Sequence, residues 1–250
     1  ELDIVIPEKH IAIEYDGLYW HSQQRGGKDN KYHLNKLQKC NDAGYRLITL
    51  FEDEWIFKKE IVKNRLKHIL TNEKGLYARK CTISEISSHL AKNFVDLYHI
   101  QGYTQCSVRL GAYYNDQLVA IMTFAKGNIS KGNKFKENIW ELSRFCTSCS
   151  VVGIAGKLLK YFEKKYNPTN IYTFADRRWS EGNMYKQIGF NFVGFTPVNY
   201  WYIPPNEIVR IHRYNFRKDR IKHLATKEGM TEWDIMKDQG IEFAVSKVAP

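Results

Sequence analysis

The chain has 250 residues, of which 43% are hydrophobic and 14% aromatic. This length suits two domains of about 100–150 residues each, and this composition excludes a largely disordered chain. The formal net charge of +11 indicates a polyanionic partner such as nucleic acid. No apolar run approaches the roughly 18 residues of a transmembrane helix, so we expect a soluble protein with no membrane partner.

Hydrophobic periodicity predicts a first α/β domain over residues 1–72. Alternating apolar residues indicate strands, and apolar residues three and four positions apart indicate helices. Strands are predicted at 2–6, 10–16 and 45–51, and helices at 28–43 and 52–70. A polar stretch at 71–75 is a plausible linker.

A second α/β domain is predicted over residues 78–205, followed by a basic extension over 206–250. Strands are predicted at 108–114, 117–124, 139–145, 170–175 and 191–203, and helices at 84–99, 156–166, 183–188 and 230–238. The alternation of strands and helices is typical of a mixed α/β fold.

The five cysteines are scattered and odd in number. Such a set does not suit a disulfide framework, so we expect a reducing, cytoplasmic setting. No signal peptide is present, and the sequence opens directly in a strand pattern. We therefore expect the first domain to be incomplete at its N-terminus. Nothing in the sequence points to a protein partner.

Acidic residues and a histidine lie near the first two predicted strands. Asp3 lies on the first strand, while Glu14 and Asp16 share one face of the second. His21 follows the end of that strand. Converging carboxylates bind Mg²⁺, and a neighbouring histidine can transfer protons, so the pattern is compatible with phosphodiester hydrolysis. The alternative interpretation is that these carboxylates are ordinary surface residues with no role in metal binding.

Three segments carry a resemblance to a nuclease family. Residues 2–7, residues 11–21 with Gly-Leu-Tyr-Trp-His at 17–21, and Gly-Tyr-Arg at 44–46 occur in this order. They resemble the core of the very-short-patch-repair (Vsr) endonucleases and the related EDxHD homing endonucleases of phages. The resemblance implies a partial PD-(D/E)XK, or restriction-endonuclease-like, fold.

The resemblance also implies roles for individual residues. Asp3 and Glu14 would bind the metal, and His21 would transfer protons. Asp16 stands where many relatives carry lysine, and His33 falls near a further family acid; both are assigned to the catalytic set. We also expect Trp20 to contact DNA.

The second predicted domain carries a different resemblance. A strand leads through Ser-Val-Val-Gly-Ile-Ala-Gly at 150–156 into a helix, and Met-Tyr-Lys-Gln-Ile-Gly-Phe follows at 184–190. These features resemble the GNAT acyltransferase fold. The resemblance implies a site for acetyl-CoA at Gly153, Ala155 and Gly156, with Tyr185 assisting the leaving thiolate. Ser150 departs from the family, which usually has arginine or glutamine there.

Two shorter segments narrow this resemblance. Trp-Glu-Leu-Ser-Arg-Phe at 140–145 and Phe-Ala-Asp at 174–176 are similar to phage Mom-like proteins, which modify adenine in DNA. The similarity spans about residues 80–223. It implies a bacterial or phage-infected host cell as the setting.

Basic residues in two places are candidates for contacts with double-stranded DNA. Arginine pairs with phosphates, and interleaved aromatic side chains can stack on bases. The candidates are Arg177 and Arg178 after a predicted strand, and Arg210, Arg213, Arg217, Lys218, Arg220 and Lys222 in the extension. Salt-bridged or solvated surface residues are the alternative.

The sequence therefore predicts a metal-dependent DNA endonuclease, with a GNAT-like domain and a basic tail that help it bind DNA. Two alternatives remain: an acyl-CoA-dependent, Mom-like transferase that modifies DNA, and a DNA-binding protein without catalysis. Mg²⁺ would be the cofactor of the endonuclease, and acetyl-CoA would be the cofactor of the transferase.

Overall fold

The structure is a computed structural model that describes residues 1–18, 32–71, 75–127, 138–196, 201–204 and 207–244. Residues 242–244 are described as backbone only. The chain divides into two compact units. The first unit contains Glu1–Lys59, Asp176–Glu181 and Gly194–Pro250, and the second contains Glu60–Ala175 and Gly182–Val193. The division into domains at 1–72, 78–205 and 206–250 stays a prediction.

In the first unit, a three-stranded sheet has the order β1-β2-β3. Its elements are β1 (Ile4–Ile6), β2 (Ile11–Asp16), α1 (Tyr32–Asp42), β3 (Arg46–Phe51) and α2 (Glu52–Phe57). Strands β1 and β2 are antiparallel, whereas β2 and β3 are parallel and joined through α1. Ala12, Leu47, Leu37 and Cys40 form a small core between the sheet and α1.

The rest of the first unit is built on residues beyond 194. Its described elements are β11 (Trp201–Ile203), β12 (Ile211–His212), α7 (Lys218–Ile221), α8 (Glu232–Asp238) and β13 (Glu242–Ala244). The three strands form a sheet in the order β12-β11-β13. Tyr202, Ile221, Ile235 and Met236 are buried together and hold this part in place.

The second unit has a five-stranded sheet in the order β10-β8-β7-β6-β5. Its elements are α3 (Lys59–Leu70), β4 (Leu76–Tyr77), β5 (Thr82–Glu85), α4 (Ser88–Tyr98), β6 (Val108–Tyr114), β7 (Gln117–Lys126), β8 (Ile139–Thr147), β9 (Val151–Val152), α5 (Ile154–Tyr166), β10 (Asn170–Thr173) and α6 (Asn183–Gln187). The short strands β4 and β9 pair in parallel beside this sheet.

Two hydrophobic clusters cover the two faces of the five-stranded sheet. On one face Phe124 stacks on Phe162 of α5, with ring centroids 3.6 Å apart. On the other face Phe94 and Val95 of α4 pack with Ile121 and Cys146. The mixed α/β character that the sequence predicts is confirmed.

Three predicted elements differ in extent from those observed. The helix predicted at 52–70 is interrupted at Lys58, and the one predicted at 84–99 begins only at Ser88 because Thr82–Glu85 pair with β6. The strand predicted at 191–203 is limited to Trp201–Ile203 in the described residues. None of the described helices is long and apolar enough to cross a bilayer.

Candidate functional site

The neighbouring strands β8 and β10 separate before β8 ends. Their parallel pairing stops at Leu142 and Thr173, while β8 continues to Thr147. Beyond Leu142, β8 has no partner on this edge within the described residues. Openings at the carboxyl ends of parallel strands are common ligand sites in α/β proteins. The open edge of β8 is therefore the centre of the candidate site.

A β-bulge in β8 lies directly at this opening. On the opposite edge, Arg144 pairs with Thr123 and Leu142 pairs with Phe124, so Ser143 has no partner residue in β7. A bulge bends a strand and re-aims the backbone and side chains on either side of it, and bulges are frequent beside active sites.

The N-terminus of α5 follows the end of β8 through a tight turn. Gly153 stands at the N-cap with φ 77°, a left-handed conformation that favours glycine, and no side chain caps the helix. The first N–H groups of the helix are therefore not bound by a capping side chain, and helix N-termini bind phosphate groups. A Cβ added at Gly156 would meet only Ile188, at 3.7 Å. Ala155 is buried, so only its backbone can take part.

Tyr185 on α6 lies close to the open edge. Burial raises the pKa of Tyr185, and a hydrogen bond with Thr173 and the charges of Arg65 and Arg144 partly offset the rise. The hydroxyl of Thr173 in turn donates to the Leu142 carbonyl at 2.9 Å, at the point where the strands separate. The Tyr185 phenol therefore stays protonated at neutral pH and can act as a proton donor.

The thiol of Cys146 on β8 lies within electrostatic range of Arg65 and Arg144. Burial raises the pKa of Cys146 to about 12, although Arg65 and Arg144 act in the opposite direction. A thiol with this pKa is almost entirely protonated at neutral pH, so Cys146 is not a ready nucleophile.

The acids predicted to bind Mg²⁺ are occupied within the first unit. Asp16 is fully buried, and its carboxylate is 3.2 Å from Nδ1 of His33. Glu14 is buried and forms an ion pair with Lys36, and Asp3 accepts the Tyr15 N–H at 2.7 Å. No group of three potential ligands that could hold a metal ion is found among the described residues.

This arrangement gives the metal-site prediction no support, and the roles assigned to its residues stay predictions. Asp3, Glu14, Asp16 and His33 each have a protein partner, so Mg²⁺ is unsupported. The other two predicted residues of this set, Trp20 and His21, lie outside the described residues.

Two of the arginines predicted to contact DNA are buried in an ionic network of the first unit. Arg178 lies 2.9 Å from Glu54 and 2.8 Å from Asp176, and its side chain is only 7% exposed. Arg210 is equally buried and bonds Asp53 at 2.9 Å and Glu54 at 3.0 Å. The guanidinium groups of Arg178 and Arg210 are engaged by carboxylates of the first unit, so this structure does not present them to DNA, and their predicted contact with DNA stays a prediction.

The remaining basic candidates lie at the surface or close to it. Arg177 is half-buried and stacks on Phe195, with its guanidinium carbon 4.1 Å from the ring centroid. The exposed ones are Arg213, Arg217, Lys218, Arg220 and Lys222. Tyr214, which is 51% exposed, contacts Arg220 at 4.4 Å and Arg217 at 5.4 Å from its ring centroid. We call Tyr214, Arg217 and Arg220 the tail cluster.

The family to which the chain belongs follows from comparison with known sequences. The model of the Mom protein family matches residues 80–243. The chain therefore belongs to the Mom protein family, and the Mom-like resemblance of the sequence is confirmed. A comparison with curated proteins gives no significant match.

Comparison with solved structures gives GNAT-like neighbours over about half of the chain. An acetyltransferase of the GNAT family from Streptococcus pneumoniae is 18% identical, with 48% of this chain and 98% of that chain covered and a TM-score of 0.34. An aminoglycoside acetyltransferase from an uncultured soil metagenomic sample is 10% identical, with 47% and 95% covered and a TM-score of 0.34. A ribosomal-protein-alanine N-acetyltransferase from Brucella melitensis is 15% identical, with 46% and 97% covered and a TM-score of 0.32.

These findings correct the main functional prediction. The family that matches residues 80–243 is Mom, not a family of nucleases. The prediction of a DNA endonuclease, a hydrolase of the Vsr-like or homing type, is therefore contradicted. The family match begins at residue 80, so it gives no support to a PD-(D/E)XK core before it.

Proposed function

We propose that this protein is an acyl-CoA-dependent transferase that modifies DNA, as Mom-like proteins modify adenine. The observation that carries the proposal is the opening between β8 and β10, where Tyr185 forms a hydrogen bond with Thr173 and where the chain after β8 leads into the uncapped N-terminus of α5. Membership of the Mom family supports the same activity.

Acetyl-CoA is the cofactor that fits the turn before α5. The backbone N–H groups of Ile154, Ala155 and Gly156 would hold its pyrophosphate, because they open a helix that no side chain caps. The cofactor supplies an acyl group activated as a thioester. Tyr185 holds a proton at its hydroxyl, and a proton donor at this position assists departure of a thiolate.

A substitution at Gly156 tests this cofactor site. Gly156→Glu should abolish the rise in melting temperature that saturating acetyl-CoA causes in the wild type, because the new carboxylate repels the pyrophosphate. At a hundredfold excess over Kd the wild-type stabilisation should be about 2.7 kcal/mol. The free protein should keep its stability, since glutamate is a better helix former than glycine and suits a helix N-terminus. Differential scanning fluorimetry measures both.

Lys160→Gln is the matched control for this experiment. Lys160 is exposed further along α5, and its substitution changes the net charge by the same amount. We expect Lys160→Gln to respond to acetyl-CoA like the wild type. If the wild type itself shows no response to acetyl-CoA while it still binds DNA, the transferase proposal fails, and a DNA-binding protein without catalysis becomes the better reading.

Double-stranded DNA is the proposed acceptor, and the tail cluster supports this choice. Two exposed guanidinium groups beside one aromatic ring suit phosphate contacts next to a stacked base. The formal net charge of +11 favours the same partner.

A double substitution tests the tail cluster. Arg217→Gln with Arg220→Gln should weaken DNA binding, and the slope of log K against log salt should become shallower by about 1.8, or roughly 0.9 for each lost phosphate contact. Fluorescence anisotropy with a labelled duplex at several salt concentrations measures the slope. Lys63→Gln with Lys67→Gln on α3 removes the same charge elsewhere, and an equal effect there would show that the tail cluster has no special part.

A further inference from the structure

A row of three polar side chains crosses the five-stranded sheet of the second unit. Arg109 of β6 pairs with Thr123 of β7, and Thr123 pairs with Arg144 of β8. Residues directly opposite each other on neighbouring strands point to the same face, with Cα atoms about 4.5–5.5 Å apart. We call Arg109, Thr123 and Arg144 the polar row.

The polar row lies on the face of the sheet that α4 covers. Ile121 and Cys146 pack with α4, and they stand two residues from Thr123 and Arg144 along the same strands. Side chains two residues apart in a strand share a face. The turn before α5 belongs to the other face, where α5 packs. A ligand in the polar row is therefore distinct from a cofactor held by α5.

The hydroxyl group of Thr123 has an unusual environment. Thr123 is fully buried, and its Oγ1 has no hydrogen-bond partner among the described residues. Buried hydroxyl groups are normally hydrogen-bonded, because an unpaired one loses the bonds that water would provide. A valine at this position would have the same shape without that cost. A bound ligand that accepts a hydrogen bond from this hydroxyl would remove the cost of leaving it unpaired.

The two arginines of the row donate to neutral oxygens. Arg144 donates to the Gly102 carbonyl at 2.8 Å and to the Ser143 carbonyl at 2.7 Å. Arg109 donates to the Cys106 carbonyl at 2.9 Å. Neither arginine forms an ion pair within the described part of the chain. A phosphate would replace neutral acceptors by charged ones, and charge-assisted hydrogen bonds are the stronger kind.

The acids nearest to the row have other partners. Glu85 lies 2.6 Å from Lys165 and also accepts a hydrogen bond from Tyr166. These two hydrogen bonds and the charges of Lys165 and Arg109 lower the pKa of Glu85, and they outweigh burial, which raises it. Glu141 accepts a hydrogen bond from Tyr172 at 3.2 Å. The positive charge of the row is therefore not neutralised by an ion pair with either acid.

We propose that the polar row binds a phosphate group of the DNA acceptor, with Thr123 donating to one phosphate oxygen and Arg109 and Arg144 to others. The identity of the phosphate carrier rests on the proposed function, whereas the phosphate site itself does not. Bound there, the phosphate fixes the acceptor strand beside Arg144, which acts electrostatically on Tyr185.

Two substitutions at Thr123 test the site, with inorganic phosphate and a short DNA duplex as probes. Thr123→Val should leave the melting temperature of the free protein unchanged or raise it, because it removes an unpaired buried hydroxyl. It should abolish the thermal stabilisation by inorganic phosphate and weaken duplex binding about tenfold or more. Thr123→Ser keeps the hydroxyl and should retain both interactions.

Each outcome decides the matter. A Thr123→Val protein that binds phosphate and duplex like the wild type overturns the proposal. So does a wild type that inorganic phosphate does not stabilise, or a Thr123→Val protein of clearly lower melting temperature, since the hydroxyl would then have a protein partner. Stabilisation by acetyl-CoA, measured on the same three proteins, should be equal, and its absence from all of them would refute the proposed function without touching the phosphate site.

Discussion

Replacement of Tyr185 by phenylalanine is expected to lower kcat by about 10²–10⁴-fold, the usual contribution of a general acid. In the proposed reaction the Tyr185 phenol donates a proton beside the opening between β8 and β10, and burial keeps its pKa above the ordinary value of 10.0. The affinity for acetyl-CoA should change little, because the proposed contacts with the cofactor are made by the backbone of α5. Turnover on duplex DNA, followed by mass spectrometry of the nucleosides, gives kcat, and calorimetry gives Kd.

The pH profile provides a second, independent readout for Tyr185. A raised pKa favours the protonated phenol, so the wild-type rate should persist through neutral pH and fall only as the pH rises through the pKa of Tyr185. The Tyr185→Phe protein should lack this alkaline limb. Tyr161→Phe on α5 is the control and should behave like the wild type. A Tyr185→Phe protein with full kcat would remove Tyr185 from the mechanism.

The ionic network of the first unit should be equally sensitive to substitution. Glu54→Gln is expected to lower the free energy of unfolding by about 3–5 kcal/mol, as found when one partner of a buried ion pair is removed. Glu54 accepts hydrogen bonds from both Arg178 and Arg210, so its loss leaves two buried guanidinium groups short of a carboxylate. Burial lowers the pKa of Arg178, but Asp176 and Glu54 outweigh it and raise the pKa overall.

Urea denaturation followed by tryptophan fluorescence measures this change. Trp179, which is buried in the same unit, is a suitable reporter. The control is Glu60→Gln, because Glu60 and Lys63 form an exposed ion pair on α3. Exposed pairs contribute about 0–1 kcal/mol, so this change should be small. A similar small effect for Glu54→Gln would contradict a stabilising role for the network.

The extent to which the sequence predicts this structure differs between the two units. In the second unit, apolar alternation located the long strands, and the segments at 140–145 and 174–176 indicated the Mom family that the sequence comparison shows. In the first unit, Glu14 and Asp16 were recognised as acids among apolar residues. Acids in such a position occur both in buried ion pairs and in catalytic sites, and only the structure shows the contacts of Glu14 with Lys36 and of Asp16 with His33.

Contacts between residues far apart in the chain could not be predicted. Arg178 and Glu54 are 124 positions apart, and nothing local distinguishes a buried arginine from an exposed one in a basic loop. The polar row depends on the registers of three strands, and a shift by one residue would separate its members. Arg109 and Thr123 do stand out as polar residues within apolar strands, which is the one signal that the sequence offers.

The division of the first unit into three chain segments bears on how the protein is made. Its β1-β2-β3 sheet is synthesised before the second unit, whereas Arg178 and Arg210, which neutralise Asp53 and Glu54, are synthesised more than a hundred positions later. The second unit, within Glu60–Val193, can complete its core during this interval, because domains generally fold as units during synthesis. The β1-β2-β3 sheet therefore reaches its final packing only after the whole second unit has been synthesised.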